Sequence, residues 1–370
     1  MRAGLYIHFP FCAVKCPYCH FSSLPWNEAS YRTWRQGLGQ EAAAPREAGL
    51  EFDTLYLGGG TPSLLGPDDV FWVRELAQAH FPLKIEEFTL EANPGASGTD
   101  LFRGWREAGV TRLSVGVQSF DDAVVRTLGR PYTAEEALRF CRAGRQAGFD
   151  ALSIDLMIGV PGETPASVER TLEIALGLEP DHVSLYILEN VEGLPFEEVL
   201  VRHPVDEDAV VDAYDRIRNA LEAAGLRQYE ISNFARPGKA CRHNLKYWRY
   251  EPFIGLGPSA GSHLPGRRWR TKTSLDDWAQ ALGRGETVRE DVVDLGPVLA
   301  AREALIFGLR LVEGVDLGDF AERFKVDVMG LFGREVGDLV CEGLLIREGD
   351  RLRIPVDKFL VSNAVLSRFV

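Results

Sequence analysis

Tyr6-Ile7-His8-Phe9-Pro10-Phe11-Cys12-Ala13-Val14-Lys15-Cys16-Pro17-Tyr18-Cys19-His20-Phe21 is the stretch that decides how the chain is read. Residues 5–8 are an apolar run that reads as a strand, and it delivers three cysteines spaced C-x3-C-x2-C onto one loop. Thiolates this close together are a metal site more often than a disulfide framework. Soft sulfur ligands select zinc, copper(I) or iron–sulfur clusters. A [4Fe–4S] cube normally takes four cysteines, so three leave one iron open to another ligand. Three further readings stay open on the residues alone. His20 could complete a Cys3His zinc site, although adjacent Cys19 and His20 crowd one another. Residues 16–20 also match C-x-x-C-H, the attachment signature of c-type haem, which belongs to exported proteins. The cysteines could also be buried structural residues.

Working outward, 370 residues predict two or three domains with ample chain for a large core. A hydrophobic content of 45% and a charged content of 26% are those of an ordinary globular protein. The net charge of −13 argues against nucleic-acid binding, which asks for a basic face. No run of 18 apolar residues is present to span a membrane. Met1-Arg2-Ala3-Gly4 leads straight into the first strand without a signal-peptide pattern, so the expected location is cytoplasmic, where thiolates persist. Cys141, Cys241 and Cys341 are scattered and read as small hydrophobes.

Strand-like runs at residues 5–8, 54–57, 87–91, 113–117, 151–157 and 183–187 alternate with helical stretches, including 28–47, 68–80, 134–147, 165–178 and 206–224. Thr164 is the expected N-cap of the helix at 165–178. Such alternation calls for parallel strands joined by right-handed crossovers. A doubly wound sheet would carry G-x-G-x-x-G after strand one, where the cysteine loop stands instead. The expected architecture is therefore an α/β open six-unit (β/α)6 partial TIM-like barrel over residues 1–225. A loop-rich segment at 226–296 follows, and then a small C-terminal helical, winged-helix-like domain at 297–370.

In parallel α/β folds the site lies at the carboxyl ends of the strands. Polar or glycine chemistry recurs there in five successive units: the cysteines, Gly58-Gly59-Gly60-Thr61-Pro62, Glu91, Gln118 and Asp155. The glycine run is no P-loop, because no Gly-Lys-Ser/Thr follows at the required spacing. It permits close backbone approach to a ligand, or simply a tight turn. Glu91 could receive an ammonium group or ribose hydroxyls, or be a paired core carboxylate. Gln118 can hold another polar group with its amide. Arg130 offers a fork that fits a carboxylate, or is a surface arginine at a helix end. Asp155 lies within an apolar strand, which is costly unless the charge is paired or used. His8 reads as a hydrogen-bonded core histidine.

The cysteine loop, with aromatic Tyr18 before its last cysteine, resembles the signature of the radical S-adenosylmethionine (radical SAM) superfamily. Residues 6–12, 57–62, 114–120 and 154–161 together resemble the oxygen-independent coproporphyrinogen III oxidase family over essentially the whole chain. That resemblance implies a [4Fe–4S] cluster on Cys12, Cys16 and Cys19. It also implies SAM against Tyr6, Tyr18, Gly59, Gly60, Thr61, Glu91, Gln118, Arg130 and Asp155. Two departures from the oxidases, Phe21 where they carry a fourth cysteine and the lack of an N-terminal extension, are similar to the haem-chaperone (HemW) branch. That branch binds haem and passes it to acceptor proteins, and an electron donor is implied. His243-Asn244-Leu245-Lys246-Tyr247-Trp248 matches its H-N-x-x-Y-W motif, which makes His243 the expected haem ligand. His20 stands where an acidic residue is associated with the branch. The alternatives are the oxidase activity itself, radical decarboxylation of coproporphyrinogen III propionates, and radical modification of tRNA, which −13 disfavours.

Overall fold

A computed structural model describes residues 1–44, 49–95 and 98–370. The strands of the first half are β1 (Arg2–Phe9), β2 (Glu51–Gly59), β3 (Leu83–Ala92), β4 (Arg112–Gln118), β5 (Ala151–Ile158) and β6 (His182–Ile187). All six are parallel and lie side by side in sequence order. Right-handed crossovers in unbroken order place every helix on one side, so the sheet curls into a barrel rather than reversing as a doubly wound sheet does. The strands are covered on both faces, which is why they read as continuous apolar runs. All seven residues of β4 are buried.

The segment 226–296, expected to be loop-rich, carries further strands: β7 (Arg227–Gln228), β8 (Asn233–Ala235), β9 (Phe253–Leu256), β10 (Gly261–Leu264), β11 (Arg267–Thr271) and β12 (Arg289–Asp294). Among the described residues the sheet order is β12-β11-β10-β9-β1-β2-β3-β4-β5-β6-β8-β7. β9 is parallel to β1, with Leu5 opposite Ile254, and so adds a seventh parallel strand outside the expected six. On the other side β8 pairs antiparallel with β6, and β7 beside it forms the edge. These strands are two to six residues long and separated by turns that carry Gly and Pro, too short to show a sustained period of two.

The C-terminal stretch has its own apolar core, built around Leu305, Leu309, Val336, Leu339, Leu352, Ile354 and Val365. Helices Pro297–Gly308, Leu317–Phe324 and Val328–Cys341 precede a hairpin of Ile346–Glu348 and Arg351–Arg353, the expected helices-then-hairpin order. No helix among the described residues is long and apolar enough to cross a membrane.

The caps follow local chemistry. Thr164 accepts the Ser167 N–H at 3.1 Å, with Pro165 in the first helical position, as expected. The first helix runs Glu28–Ala43, opened by Asn27 accepting the Ser30 N–H. Residues 45–47 of its expected span lie outside the described residues. Inside it, Gly37 is a packing requirement: a Cβ there would overlap the buried ring of Trp278, on the helix Leu275–Gly283. Trp278 also donates Nε1–H to Glu41 at 3.2 Å, so the two helices are locked in register. Gly37→Ala should therefore destabilise the protein by about 1–3 kcal/mol in a denaturant melt, the cost of overpacking. An exposed helical glycine would instead gain roughly 0.5–1 kcal/mol from the same change.

Candidate functional site

The cysteine loop hangs on β1. After Phe9 the chain pairs Phe11–Cys12 with Leu24–Pro25, and the Trp26 N–H donates to the Cys12 carbonyl at 2.9 Å, closing the loop at its base. Within it the Cys19 N–H donates to the Cys16 carbonyl at 3.1 Å. Cys12 and Cys16 are buried, Cys19 is half-buried, and all three are free thiols. Burial pushes the Cys19 thiol up, opposed chiefly by the Phe21 backbone N–H. Gly129 packs beneath the loop at φ 67°, where a Cβ would meet Pro17 at 2.8 Å. That approach brings Arg130 to Cys16, to which it donates an N–H at 3.3 Å. Among the described residues no three His, Cys, Asp or Glu side chains converge as one metal ion requires. A four-iron cube binds each thiolate through a different iron and has no such requirement.

The glycine run is stitched to this loop through the main chain. Gly60 N–H donates to Phe9 O at 2.7 Å, and Thr61 N–H donates to Phe11 O at 2.7 Å. A Cβ on Gly60 would strike the Phe11 carbonyl, and one on Gly59, at φ 115°, would meet the His8 ring at 2.6 Å. Gly60 is therefore demanded by close approach, and Gly59 by close approach and by conformation. Gly59 N–H and the Tyr56 hydroxyl donate to the two oxygens of Glu91, at 2.9 and 2.7 Å. His8 is buried as expected: Nε2–H donates to the Ser22 carbonyl at 2.9 Å, so Nδ1 accepts from Tyr6 at 2.9 Å.

The remaining rim residues converge from β4 and β5. Gln118 holds a positive φ of 64°, and its buried Oε1 has no hydrogen-bond partner. Arg130 also donates to Gly116 O at 2.8 Å and to Asn93 Oδ1 at 3.3 Å. Asp155 stands opposite Ser184 in register and lies 3.4 Å from the Ser114 hydroxyl. Glu91, Asp155, Tyr56, Ser114, Ser153 and Ser184 share a polar cavity of about 50 Å³ inside the barrel. Burial raises Glu91 to about 7 against the Tyr56 and Gly59 hydrogen bonds, with the Asp155 charge adding to the rise. Burial likewise raises Asp155 to about 6 against the serine hydroxyls. Tyr18 lies apart from this cluster, edge-on to Phe196 at 6.2 Å, between the loop and the apolar group of Val124, Leu128 and Val160.

Sequence reasoning missed Tyr56 and Asn93. Tyr56 lies two residues before Gly58 on β2 and so shares its inward face, a signal available from strand alternation. Asn93, whose Nδ2 donates to Thr61 at 3.0 Å, follows β3 directly. Its place at a strand end was the available cue.

His243, expected from the resemblance as a haem ligand, does not reach this rim. Its helix, Arg242–Trp248, packs into the opposite end of the barrel, against Gly4 on β1, Thr54 on β2 and Glu87 on β3. His243 is fully buried, with Nδ1 bonded to Thr54 at 2.8 Å and Nε2 to Tyr247 at 2.9 Å. Burial and then the Lys246 charge lower its pKa to about 3. Both ring nitrogens are occupied, so a bond to iron would require the plug to leave the barrel. Trp248 packs instead under the Arg310 guanidinium, 4.5 Å from its ring centre.

A curved parallel sheet whose C-terminal rim gathers three cysteines, a glycine run and buried carboxylates is the arrangement of a radical SAM protein. Residues 6–175 match the model of the radical SAM superfamily, and residues 300–355 match that of the HemN C-terminal domain. The chain is 30% identical to a heme chaperone HemW of Lactococcus lactis, covering 99% of this chain and 96% of that protein. It is 32% identical to one from Mycobacterium tuberculosis, covering 98% and 93%. The solved structure of Escherichia coli coproporphyrinogen III oxidase (HemN), 21% identical, superposes with a TM-score of 0.87, covering 100% of this chain and 90% of that one. The chain belongs to the HemW branch of the HemN-like radical SAM family.

The carboxylate pair sets a pH dependence for the protein without cofactors. Glu91 binds its proton more tightly folded, near 7, than at its ordinary value of 4.5. Its contribution to stability is therefore present below pH 4.5 and lost as the pH rises through about 7. The slope cannot exceed ~1.4 kcal/mol per pH unit for one proton. Asp155 acts in the same sense from 3.8 to about 6. Glu91→Gln should flatten the fall in stability between pH 5 and 7.5, measured by urea melts. An unchanged profile would mean that Glu91 is already paired.

Proposed function

We propose that this chain is a haem chaperone: it holds a [4Fe–4S] cluster and SAM at the strand rim, binds haem, and passes haem to acceptor proteins in the cytoplasm. Cys12, Cys16 and Cys19 are the cluster ligands in this reading, and Phe21 is the observation that carries it. Where the oxidases carry a fourth cysteine, this chain presents a phenyl ring that is 58% exposed. A side chain with no donor atom cannot replace that thiol in its chemistry, while an exposed aromatic suits a flat apolar cargo. The haem-chaperone names of the relatives over nearly full length support the same reading.

The rim fits the groups assigned to it by chemistry. Arg130 donates an N–H to Cys16 Sγ, which sets a positive charge beside one of the assigned ligands. Glu91 and Asp155 are carboxylates left half-open to the barrel cavity, suited to an ammonium group and to ribose hydroxyls. Gln118 Oε1 is an acceptor still awaiting its donor. The backbone at Gly59 and Gly60 admits a ligand against the main chain, and Thr61, Tyr6 and Tyr18 complete the assigned set. When bound, a cluster and SAM supply one-electron chemistry at this rim. The electron donor this implies would approach from the exposed side of the cysteine loop.

Reconstituted without oxygen, the protein should take up about four irons per chain. It should bind haem stoichiometrically and release no carbon dioxide from coproporphyrinogen III. Cys16→Ala should lose the iron. One zinc per chain without iron uptake would remove the cluster, and repeated turnover to a vinyl-bearing product would restore the oxidase.

A further inference from the structure

We propose that His20 gives the axial imidazole to haem iron, with Phe21, Val14 and Leu24 as the apolar platform and Lys15 as a propionate partner; this rests on the haem-chaperone reading above. A porphyrin cargo asks for a nitrogen donor, an apolar surface and a cation for its carboxylates. The chain has seven histidines. His8, His182 and His243 are buried with both ring nitrogens hydrogen-bonded. His263 is buried too, its ring 4.0 Å from that of Tyr250, with Nδ1 against the Glu251 carbonyl. Three histidines are exposed. His80 ends the helix Pro67–His80, which returns the chain to the start of β3, the rim opposite the cysteines. His203 is followed by Asp206-Glu207-Asp208, whose charges repel a dianionic porphyrin.

His20 is exposed on the cysteine loop and stands among exposed apolar side chains. Its ring lies 4.9 Å from that of Phe21 and is tilted 45° to it. Val14 is 51% exposed on the same loop, and Leu24, 41% exposed, lies in the strand pair that closes it. Large apolar side chains gathered at an exposed loop are otherwise a solubility liability. Lys15 forms no ion pair among the described residues, and its charge is felt at Cys19, next to His20. In a protein of net charge −13, an unpaired lysine beside an apolar platform is the charge complement a propionate requires. Binding needs only that a neutral ring nitrogen give its electron pair to iron; no redox step is involved.

The test is a titration of the cluster-loaded, full-length protein with ferric haem, reading the Soret band, with iron content measured in the same samples. His20→Ala should weaken haem binding by about tenfold or more and shift the band, and added imidazole should restore it. His20→Met should bind haem with a spectrum unlike that of the native protein, which a purely structural role would not produce. Lys15→Glu should weaken binding without moving the band. If iron-replete His20→Ala and His20→Met titrate like the native protein, the assignment of His20 is overturned while the chaperone reading stands. If the native protein takes up no haem, both fall.

Discussion

Two backbone hydrogen bonds hold the site together: Gly60 to the Phe9 carbonyl and Thr61 to the Phe11 carbonyl, each 2.7 Å. They make the end of β1 and the end of β2 one object, so the cysteine loop cannot shift without carrying the glycine run. Main-chain bonds of this kind set geometry without side-chain rotamers, and the absence of Cβ atoms at Gly59 and Gly60 is what lets them form. The tie also reaches sideways. Gly59 holds Glu91 on β3, and Asn93 next to it holds Thr61 and Arg130, which returns to Cys16. A closed circuit of short contacts thus runs from the cysteines through three strand ends and back.

The interior behind this rim is costly. Glu91 and Asp155 face a small polar cavity, and burial outweighs the donors around them, so Glu91 holds its proton up to about pH 7 and Asp155 up to about 6. Farther down, Arg112 and Glu87 form a buried pair at 3.0 Å, and the plug helix caps the barrel through His243 and Lys246. Lys246 meets Asp53 at 2.8 Å, so the plug is fastened by charge as well as by packing. Breaking one partner of such a buried pair is strongly destabilising. The two ends of the barrel therefore divide the labour: one end is sealed, and the other keeps a buried, unmet polar atom, Gln118 Oε1, behind the rim where ligands arrive.

Much of this was legible in the chain. The rim residues stand at strand ends, where parallel topology puts a site, and cysteine spacing with three glycines marked two of those ends. The C-terminal helices were readable because each is long enough to show its own period, and the hairpin because Glu348-Gly349-Asp350 marks its turn. The strands from β7 to β12 were not, being short and separated by turns that carry Gly and Pro. His243 was open to two readings for a different reason. An imidazole followed by two aromatics has the composition of a pocket wall and of a packed plug alike. What decides between them is Thr54, 189 residues away, which only folding brings to the ring. Tyr56 and Asn93 escaped because their roles are to hold other site residues, and a single sequence shows no partner.

The most direct test of the claim that cysteine loop and glycine run form one site is electron paramagnetic resonance of the reduced cluster during a SAM titration. The account predicts a spectrum that changes and saturates at about one SAM per chain. Gly60→Ala, whose methyl would strike the Phe11 carbonyl, should keep its iron but lose that change. A native spectrum indifferent to SAM, or a Gly60→Ala protein that responds like the native one, would contradict it.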